Sequence, residues 1–500
     1  MRGKKALINT FSAVLQEFVA VVCAFILPRL IMESFGSTYN GISSSITQFL
    51  GCAVLLRAGI GGATRAALYK PIAESDQMRV NAIMSATEKY LRKTALILAA
   101  LIVAAACCYP FLVRDEFSWF FSFSLFLIIG ISTFAETLFG ISNLILLQAD
   151  QKLYVSSIAR IISTICNTVL SVVLIRRGCS IHTVKFGSAI AFCIYPLLLR
   201  LYVKRRYKID TNVEPDNGAI AQRWDAFFHQ VANFVMANTD VIVLTAFVPM
   251  SEVSVYSVYN LIANGLRKLV LNFTSGLEGA FGSMMAKDEK QVLRSNFEII
   301  HFLIFTVASV VYTSAALLIL DFVKLYTKGI SDAAYIRPAF AYLLILGQFF
   351  LCVRQPYQVL VQAGGHYRET RDGAILEPIL NIVISVAVVA RFGLVGVVCG
   401  TLAATVFRTL QYSFYVSRHI LHGALPAMLR SLLLSAANCA IVFLACHYLP
   451  LGEVSSYWSW LLRSVEIVVL SSSVNLITAL VFYKNQVQQL LTKLRRIMKK

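Results

Sequence analysis

The chain has 500 residues, of which 58% are hydrophobic and only 14% are charged. This composition excludes an ordinary water-soluble globular protein, in which about a quarter of the residues are charged. The formal net charge of +19 is expected to lie beside anionic membrane lipids, and no nucleic-acid partner is expected, because no basic soluble segment of domain size is present.

Apolar runs of about 18 residues or more recur along the whole sequence, and such runs predict membrane-spanning helices. We predict fourteen spans: 6–32, 41–64, 94–113, 118–147, 154–175, 186–203, 224–247, 254–283, 296–320, 338–361, 373–390, 394–417, 431–449 and 458–482. Polar residues interrupt the runs at 41–64 and 254–283. The sequence therefore predicts an all-α polytopic membrane protein.

The distribution of Lys and Arg predicts the topology. If both termini are cytoplasmic, most basic residues outside the spans lie in cytoplasmic connections, as the positive-inside rule requires. The opposite orientation would invert that bias. We therefore expect a multi-pass protein with both termini in the cytoplasm.

A polar break between Lys204 and Arg223 divides the first six spans from the other eight. The predicted organisation has five parts: an N-terminal lobe at 1–211, a linker at 212–223, a C-terminal lobe at 224–425, two further spans within 426–483, and a basic amphipathic tail at 484–500.

Residue matches at a fixed offset indicate an internal duplication. At offset 214 the matches are Gln148-Ala149 with Gln362-Ala363, and Asn167, Ser171 and Arg177 with Asn381, Ser385 and Arg391. At offset 217 they are Tyr39, Gly59 and Gly62 with Tyr256, Gly276 and Gly279. Both copies begin on the same side of the membrane, which predicts two parallel six-helix repeats around a central cavity.

The chain resembles the bacterial polysaccharide (O-antigen type) flippases. These belong to a superfamily of exporters that also holds multidrug and toxin extrusion (MATE) transporters and the lipid II flippase. The echoes are Ser37-Thr38-Tyr39-Asn40-Gly41, Asn238-Thr239-Asp240, Tyr256 and Gln148-Ala149-Asp150-Gln151. The resemblance implies a cavity that opens alternately to each side of the bacterial inner membrane. It also implies a polyprenyl-diphosphate-linked oligosaccharide as substrate, for surface polysaccharide or lipopolysaccharide synthesis.

An anionic head crossing the membrane needs cations and hydrogen-bonding groups, and the arginine fork fits phosphate oxygens. The candidate substrate-binding residues are Arg57, Asn260, Asn264, Arg267, Lys268, Arg354 and Arg408. Asn260, Asn264, Arg267, Thr274 and Glu278 recur at helical spacing and predict one polar stripe. The resemblance associates arginines of spans 1, 2 and 8 with the lipid diphosphate, which favours Arg57 and Arg267; Arg29 lies near the outer end of span 1, where contact with lipid headgroups is the alternative. Interfacial snorkelling is the alternative for cations near span ends.

Three acidic residues are candidates for coupling transport to protons or Na⁺: Glu17, Asp240 and Glu278. Each is equally compatible with a structural role as the partner of a nearby cation. Glu377 lies near a predicted cytoplasmic end, where we expect it to be solvated. Gly59, Gly62, Gly276 and Gly279 occupy equivalent places and predict either close helix packing or a hinge.

Enzymatic functions find little support. The sequence has no phosphate-binding Gly-x-x-x-x-Gly-Lys loop and no Gly-x-Ser-x-Gly nucleophile motif. The alternatives to a flippase are a cation-coupled multidrug exporter and, from another class, a membrane polysaccharide polymerase or ligase. We expect no enzyme activity, no cofactor or metal, and a monomer.

Overall fold

The computed structural model describes residues 2–51, 60–210, 213–216, 218, 238–274, 277–449 and 452–498. These residues are predominantly helical and contain no β-strand. The chain is an all-α polytopic membrane protein, as its apolar runs predicted.

The first half of the chain contains nine described α-helices. They are α1 (Arg2–Phe35), α2 (Ser37–Leu50), α3 (Ile60–Glu74), α4 (Gln77–Cys108), α5 (Trp119–Ala135), α6 (Ile141–Ala149), α7 (Leu153–Arg176), α8 (Ile181–Arg206) and α9 (Asn238–Phe247). A π-helical turn at Glu136–Gly140 joins α5 to α6.

The second half contains ten described α-helices. They are α10 (Met250–Leu271), α11 (Leu277–Ala286), α12 (Lys290–Tyr326), α13 (Pro338–Val353), α14 (Gln355–Ala363), α15 (Arg371–Phe392), α16 (Leu394–His419), α17 (Ala424–Tyr448), α18 (Tyr457–Phe482) and α19 (Lys484–Met498). The last of these is the helix predicted for the tail.

Eleven stretches of the described chain are helical, long and apolar enough to cross a membrane. They correspond to predicted spans 1, 3–6 and 9–14. Spans 2 and 7 include residues 52–59 and 224–237, which lie outside the described residues, and the described part of span 7 is the short apolar helix α9. The total of fourteen spans stays a prediction.

Predicted span 8 is a broken helix, which corrects the expectation of one continuous polar stripe. Helix α10 ends at Leu271, and a 3₁₀ turn follows at Asn272–Thr274. The Thr274 hydroxyl donates to the Leu271 carbonyl over 2.7 Å, an alternative to helical hydrogen bonding. Asn260, Asn264 and Arg267 therefore share one helix, whereas Glu278 belongs to α11.

The described chain divides into two compact units, Met1–Ser257 and Val258–Lys500. In the N-terminal unit, α7 packs against both α1 and α8, and a buried apolar cluster forms around Leu91, Leu146 and Leu199. In the C-terminal unit, α15 packs most extensively against α16. Apolar side chains such as Phe11 and Leu433 remain more than 70% exposed, as expected for helices whose outer solvent is lipid.

Two glycines explain how closely α15 and α16 approach. A Cβ at Gly400 would lie 2.8 Å from the Asn381 carbonyl oxygen, and one at Gly396 would lie 2.8 Å from the Val388 carbonyl carbon. Both distances are too short for a side chain. The spacing Gly396-x-x-x-Gly400 is the small-residue pattern that lets membrane helices pack backbone to backbone.

Candidate functional site

Two of the predicted cationic residues meet at one buried carboxylate in the C-terminal unit. Arg354 Nη1 donates to Glu377 Oε1 over 2.5 Å, and Arg408 Nε lies 3.6 Å from Glu377 Oε2. The side chains of Arg408 and Glu377 are only 4% and 9% exposed. The expectation that Glu377 is solvated was wrong, because the two guanidinium groups cover it and satisfy both oxygens. We call Arg354, Glu377 and Arg408 the cationic cluster.

The helices position the cluster through a break and a close contact. Arg354 lies between α13 and α14, and Pro356 follows within the first turn of α14. Glu377 belongs to α15 and Arg408 to α16. The close packing of α15 on α16 thus brings the carboxylate to Arg408, and the break in span 10 turns Arg354 toward the same carboxylate.

Arg408 is tightly held by neighbours in the C-terminal unit. Its Nη1 donates to the Thr370 carbonyl over 2.9 Å and also to Gln411 Oε1, and its Nη2 donates to the Tyr412 hydroxyl over 2.7 Å. With these partners and Glu377, Arg408 is suited mainly to fixing the cluster. Arg354 differs, because its buried Nε has no hydrogen-bond partner among the described residues.

The cluster carries an excess of positive charge, since two arginines share one glutamate. Arg267 on α10 is half-buried and lies within electrostatic range of the buried Cys352 thiol, as does Arg354. Cys352 Sγ is 3.1 Å from the Tyr312 hydroxyl. Arg267 makes no hydrogen bond or ion pair with the described part of the chain. The structure thus brings three predicted cations, Arg267, Arg354 and Arg408, to one region of this unit.

The other polar residues of α10 differ in exposure. Asn260 and Asn264 are half-buried, whereas Lys268 is exposed. Asn260, Asn264 and Arg267 are spaced by four and three residues and so share a helix face. Glu278 on α11 is exposed, and it helps raise the pKa of the neighbouring Tyr367 phenol, although partial burial of that phenol is the larger cause.

The two other candidate coupling acids belong to the N-terminal unit. Asp240 on α9 is 6% exposed, and its Oδ2 accepts a hydrogen bond from the Tyr256 hydroxyl over 2.9 Å. Glu17 on α1 is half-buried. A buried carboxylate with a phenol donor beside it has oxygen ligands suited to a proton or a small cation.

The predicted glycine positions are described only in part. Arg57, Gly59 and Gly276 lie outside the described residues. A Cβ at Gly62 or Gly279 would meet no atom of the described residues within 4 Å, so packing against this part of the chain does not require a glycine at either of these two positions. The hinge interpretation of the four glycines stays a prediction.

The sequence analysis missed an ion pair in the N-terminal unit. Arg160 on α7 pairs with Glu136 over 2.8 Å, and its guanidinium lies 3.6 Å from the centre of the Tyr195 ring. Glu136 opens the π-helical turn between α5 and α6. The available signal was an acid and a base in consecutive spans, since charges at membrane depth usually find a partner.

The motif Tyr39-Asn40-Gly41 forms a polar latch with α9 and α10 within the N-terminal unit. Asn40 Nδ2 donates to Ser254 Oγ over 2.8 Å and to Ser257 Oγ over 3.2 Å. A Cβ at Gly41 would lie 1.8 Å from the Met250 carbonyl oxygen, so only glycine permits this approach. Ser45 and Thr245 add a hydroxyl pair at 2.7 Å.

Repeat-related residues form the same local hydrogen bond in both units. Ser171 Oγ donates to Asn167 Oδ1 over 3.5 Å, and Ser385 Oγ donates to Asn381 Oδ1 over 3.0 Å. These are the pairs that match at offset 214 in the sequence. The shared bond supports the internal duplication, although the domain boundaries drawn from it stay predictions.

The motif Gln148-Ala149-Asp150-Gln151, which also carries the family resemblance, has a structural role in this chain. Gln148 Oε1 accepts from Arg65 over 3.1 Å, and Asp150 binds both Lys152 Nζ and the Tyr207 hydroxyl. Burial raises the pKa of the Tyr207 phenol, and its hydrogen bond to Asp150 raises it further. Tyr207 therefore stays a donor near neutral pH, and the motif fixes the turn between α6 and α7.

The chain is similar to known proteins in its structure, whereas the comparisons of its sequence find no match. No family model and no curated protein matches the chain. The lipid II flippase MurJ in an inward closed conformation has a TM-score of 0.73 and 15% identity, covering 96% of this chain and 100% of MurJ.

MATE transporters are also similar in structure. An inward-facing multidrug resistance MATE transporter has a TM-score of 0.64 and 13% identity, over 79% of this chain and 94% of its own. A Vibrio cholerae MATE transporter has a TM-score of 0.59 and 12% identity, over 84% and 98%. The chain therefore has the fold that MurJ and these MATE transporters share.

Proposed function

We propose that the chain is a flippase that moves a polyprenyl-diphosphate-linked oligosaccharide from the cytoplasmic to the outer leaflet by alternating access. The observation that carries this proposal is the excess positive charge of the cationic cluster, with Arg267 in the same unit and an unpartnered donor on Arg354. An isolated buried cation is costly, so an excess of positive charge in a membrane protein favours an anionic ligand.

The chemistry of the substrate head fits this set of side chains. A diphosphate offers several anionic oxygens, which bind arginine forks in pairs. In this proposal Arg354 and Arg267, together with Arg57, contact the diphosphate, Lys268 adds a point charge, and Arg408 orients Arg354 through Glu377. In the same proposal Asn260 and Asn264 hydrogen-bond the sugar, and the polyprenyl tail stays in lipid.

The test measures substrate binding and polysaccharide export at matched surface levels. A charge-assisted hydrogen bond contributes about 1.5–3 kcal/mol, so Arg267→Ala and Arg57→Ala should each weaken binding about ten-fold or more. Arg267→Lys and Arg57→Lys should keep only part of the binding affinity, since an ammonium cannot form the two parallel hydrogen bonds of a guanidinium. Arg418→Ala is the matched control, because Arg418 is exposed at the end of α16. Normal binding by both alanine variants would rule out the cationic mechanism at these residues.

A cation-coupled multidrug exporter is the second candidate, and the structural similarity to MATE transporters favours it. The two candidates differ in the charge of the substrate. A multidrug exporter should lower the accumulation of cationic dyes in cells, whereas the proposed flippase should leave the dyes unchanged and restore surface polysaccharide in a flippase-deficient strain. Dye export without polysaccharide rescue would select the exporter.

The proposal includes an orientation in the bacterial inner membrane, with both termini cytoplasmic and a monomer as the working unit. Reporter fusions after Arg206 and at the C-terminus should report the cytoplasm. A fusion between Lys324 and Asp332 should report the outer side. An outer C-terminus would mean that the number of spans is odd.

A further inference from the structure

A pocket of about 200 Å³ lies within the C-terminal unit, where the ends of α12, α17 and α18 meet the start of α19. The cationic cluster contributes no residue to it. Its lining includes Arg294, His301, Arg430 and Tyr483. The proposed transport mechanism uses none of these residues, so their arrangement needs a separate explanation.

The lining has an excess of positive charge. Two arginines, Arg294 and Arg430, face one glutamate, Glu298, which pairs with Arg294 over 3.1 Å at the exposed rim. Arg430 Nη2 donates to the Phe482 carbonyl over 2.9 Å. The remaining guanidinium donors of Arg430 have no partner among the described residues, and a guanidinium has five N–H donors.

His301 forms the deep wall of the pocket. The residue is only 4% exposed, and its Nε2 has no hydrogen-bond partner in the described part of the chain. Its ring is fixed between Phe305 and Tyr357, with ring centres 4.4 and 5.7 Å away. A buried polar atom without a partner is rare in folded proteins, and His301 lines the pocket, so we take its imidazole as a donor to a ligand there.

The start of α17 forms another wall. Gly423 caps this 25-residue helix with φ +89°, and no side chain caps its N-terminus. Gly423, Ala424 and Ala427 all line the pocket. The Ala424 N–H donates to the Leu421 carbonyl over 3.2 Å, and Pro426 has no N–H. The N–H groups of Gly423 and Leu425 and the positive end of the helix dipole favour an anion at this place.

We infer that this pocket binds the phosphate of an anionic membrane lipid. Arg430, His301 and the start of α17 supply donors from three sides, which suits a tetrahedral phosphate with several acceptor oxygens. The pocket lies at the ends of three helices that can each span the membrane, where lipid headgroups are found. Beside it, Leu433 and Val481 are 73% and 65% exposed and offer an apolar surface to acyl chains.

The test uses the purified full-length chain in detergent and measures bound lipid by native mass spectrometry. Phosphatidylglycerol should bind at least about ten-fold more tightly than phosphatidylcholine. Arg430→Gln and His301→Phe should each remove most of that preference, because each deletes one donor to the phosphate. Arg391→Gln is the matched control, since its guanidinium also lies over a phenylalanine ring, Phe392, at 5.6 Å but outside this pocket.

A second measurement needs no substitution. A photoreactive phosphatidylglycerol added to the unaltered protein should label residues 421–431 or 482–486. Labelling only at other positions would overturn the inference, as would equal binding of the two lipids. Inorganic phosphate distinguishes the source of the ligand: if it saturates the pocket and the protein shows no preference for phosphatidylglycerol, the ligand is a soluble anion and the lipid assignment is wrong.

Discussion

Glu377 is the residue on which the arrangement of two arginines depends. Its two oxygens bind Arg354 and Arg408 from different helices, and all three side chains are at most 14% exposed. A buried ion pair is a weak source of net stability, but removing one partner leaves the other charge uncompensated. In this cluster the loss of Glu377 would leave two like charges together.

We expect Glu377→Gln to destabilise the folded chain by roughly 3–5 kcal/mol, the cost of breaking a buried ion pair from one side. The measurement is the melting temperature of the purified protein in detergent. Glu298→Gln is the control, because the Arg294–Glu298 pair is 62% and 39% exposed and should contribute less than about 1 kcal/mol. Adding Arg408→Met to Glu377→Gln should restore part of the loss. Equal melting temperatures for the two glutamine variants would contradict this account.

Of the three acids proposed to couple transport to an ion gradient, Asp240 is the most buried. Asp240→Asn should abolish the dependence of vesicle transport on a proton or Na⁺ gradient, because an amide does not take up a proton near neutral pH and has no negative charge to hold Na⁺. Tyr256→Phe removes the hydrogen bond at 2.9 Å but leaves the carboxylate, and should keep the gradient dependence. Asp115→Asn, at a side chain that is 95% exposed, is the control. If both Asp240→Asn and Tyr256→Phe merely lower stability, Asp240 is structural.

Sequence patterns predicted only some of the charged residues that form buried ion pairs. Arg354 and Arg408 were identified because a cation within an apolar run is conspicuous. Their shared partner Glu377 was not identified, because it lies near a span end, where a carboxylate is usually solvated. Its burial follows from the break at Arg354 and from the packing of α15 on α16. The spacing of residues in the sequence encodes neither of these two features. The same holds for Glu136 and Arg160, whose pairing depends on two helices meeting.

Two helix breaks each carry a charged residue inside the membrane-spanning region. The π-helical turn at Glu136–Gly140 and the break at Arg354 fall at matching positions when the offset of 214 is applied. Each break carries a charged residue that pairs with the next span, and the signs are exchanged: Glu136 with Arg160, Arg354 with Glu377. An interrupted helix frees backbone groups and re-aims a side chain, so both units use the break to form an inter-helix ion pair.

At the element scale, the approach of α15 to α16 requires Gly400. Gly400→Ala would place a Cβ 2.8 Å from the Asn381 carbonyl oxygen, and we expect a loss of about 1–3 kcal/mol from overpacking, measured as a lower melting temperature. The matched control is Gly347→Ala in α13, another buried helical glycine, where a Cβ would meet no atom within 4 Å. This control should be neutral or slightly stabilising. A harmless Gly400→Ala would show that the two helices separate readily.

The existence of long apolar helices could be predicted from the sequence, whereas their interruptions could not. Hydropathy reports length and polarity, and spans such as α7 and α18 end close to their predicted limits. The break after Leu271 depends on a hydroxyl of Thr274 that binds the backbone, and threonine is also common within helices. Polar residues in the run at 254–283 marked it as unusual without showing where it breaks.

At the scale of the whole molecule, alternating access requires contacts between the predicted lobes that form in one state and break in another. The polar latch has this character. It joins α2, in the predicted lobe 1–211, to α9 and α10, in the predicted lobe 224–425, and all of it lies within the N-terminal unit. Met250 also donates its N–H to Glu116 Oε1 over 2.7 Å. If the lobes rock, these hydrogen bonds must exchange for water or substrate in the other state.

Locking the latch should therefore stop transport. Asn40→Cys and Ser254→Cys together put two thiols where Asn40 Nδ2 and Ser254 Oγ are 2.8 Å apart. Mass spectrometry after oxidation identifies the disulfide-linked protein, and its transport should cease until a reductant is added. Each single cysteine variant controls for loss of the native hydrogen bonds.

The matched pair Asn438→Cys and Asn475→Cys links α17 to α18 at a bond of similar length, 2.9 Å. This pair lies outside both predicted lobes, so its oxidation should leave transport intact. Mass spectrometry shows whether the latch is cross-linked. If the cross-linked protein transports at the full rate, α2 and α10 do not separate during the transport cycle.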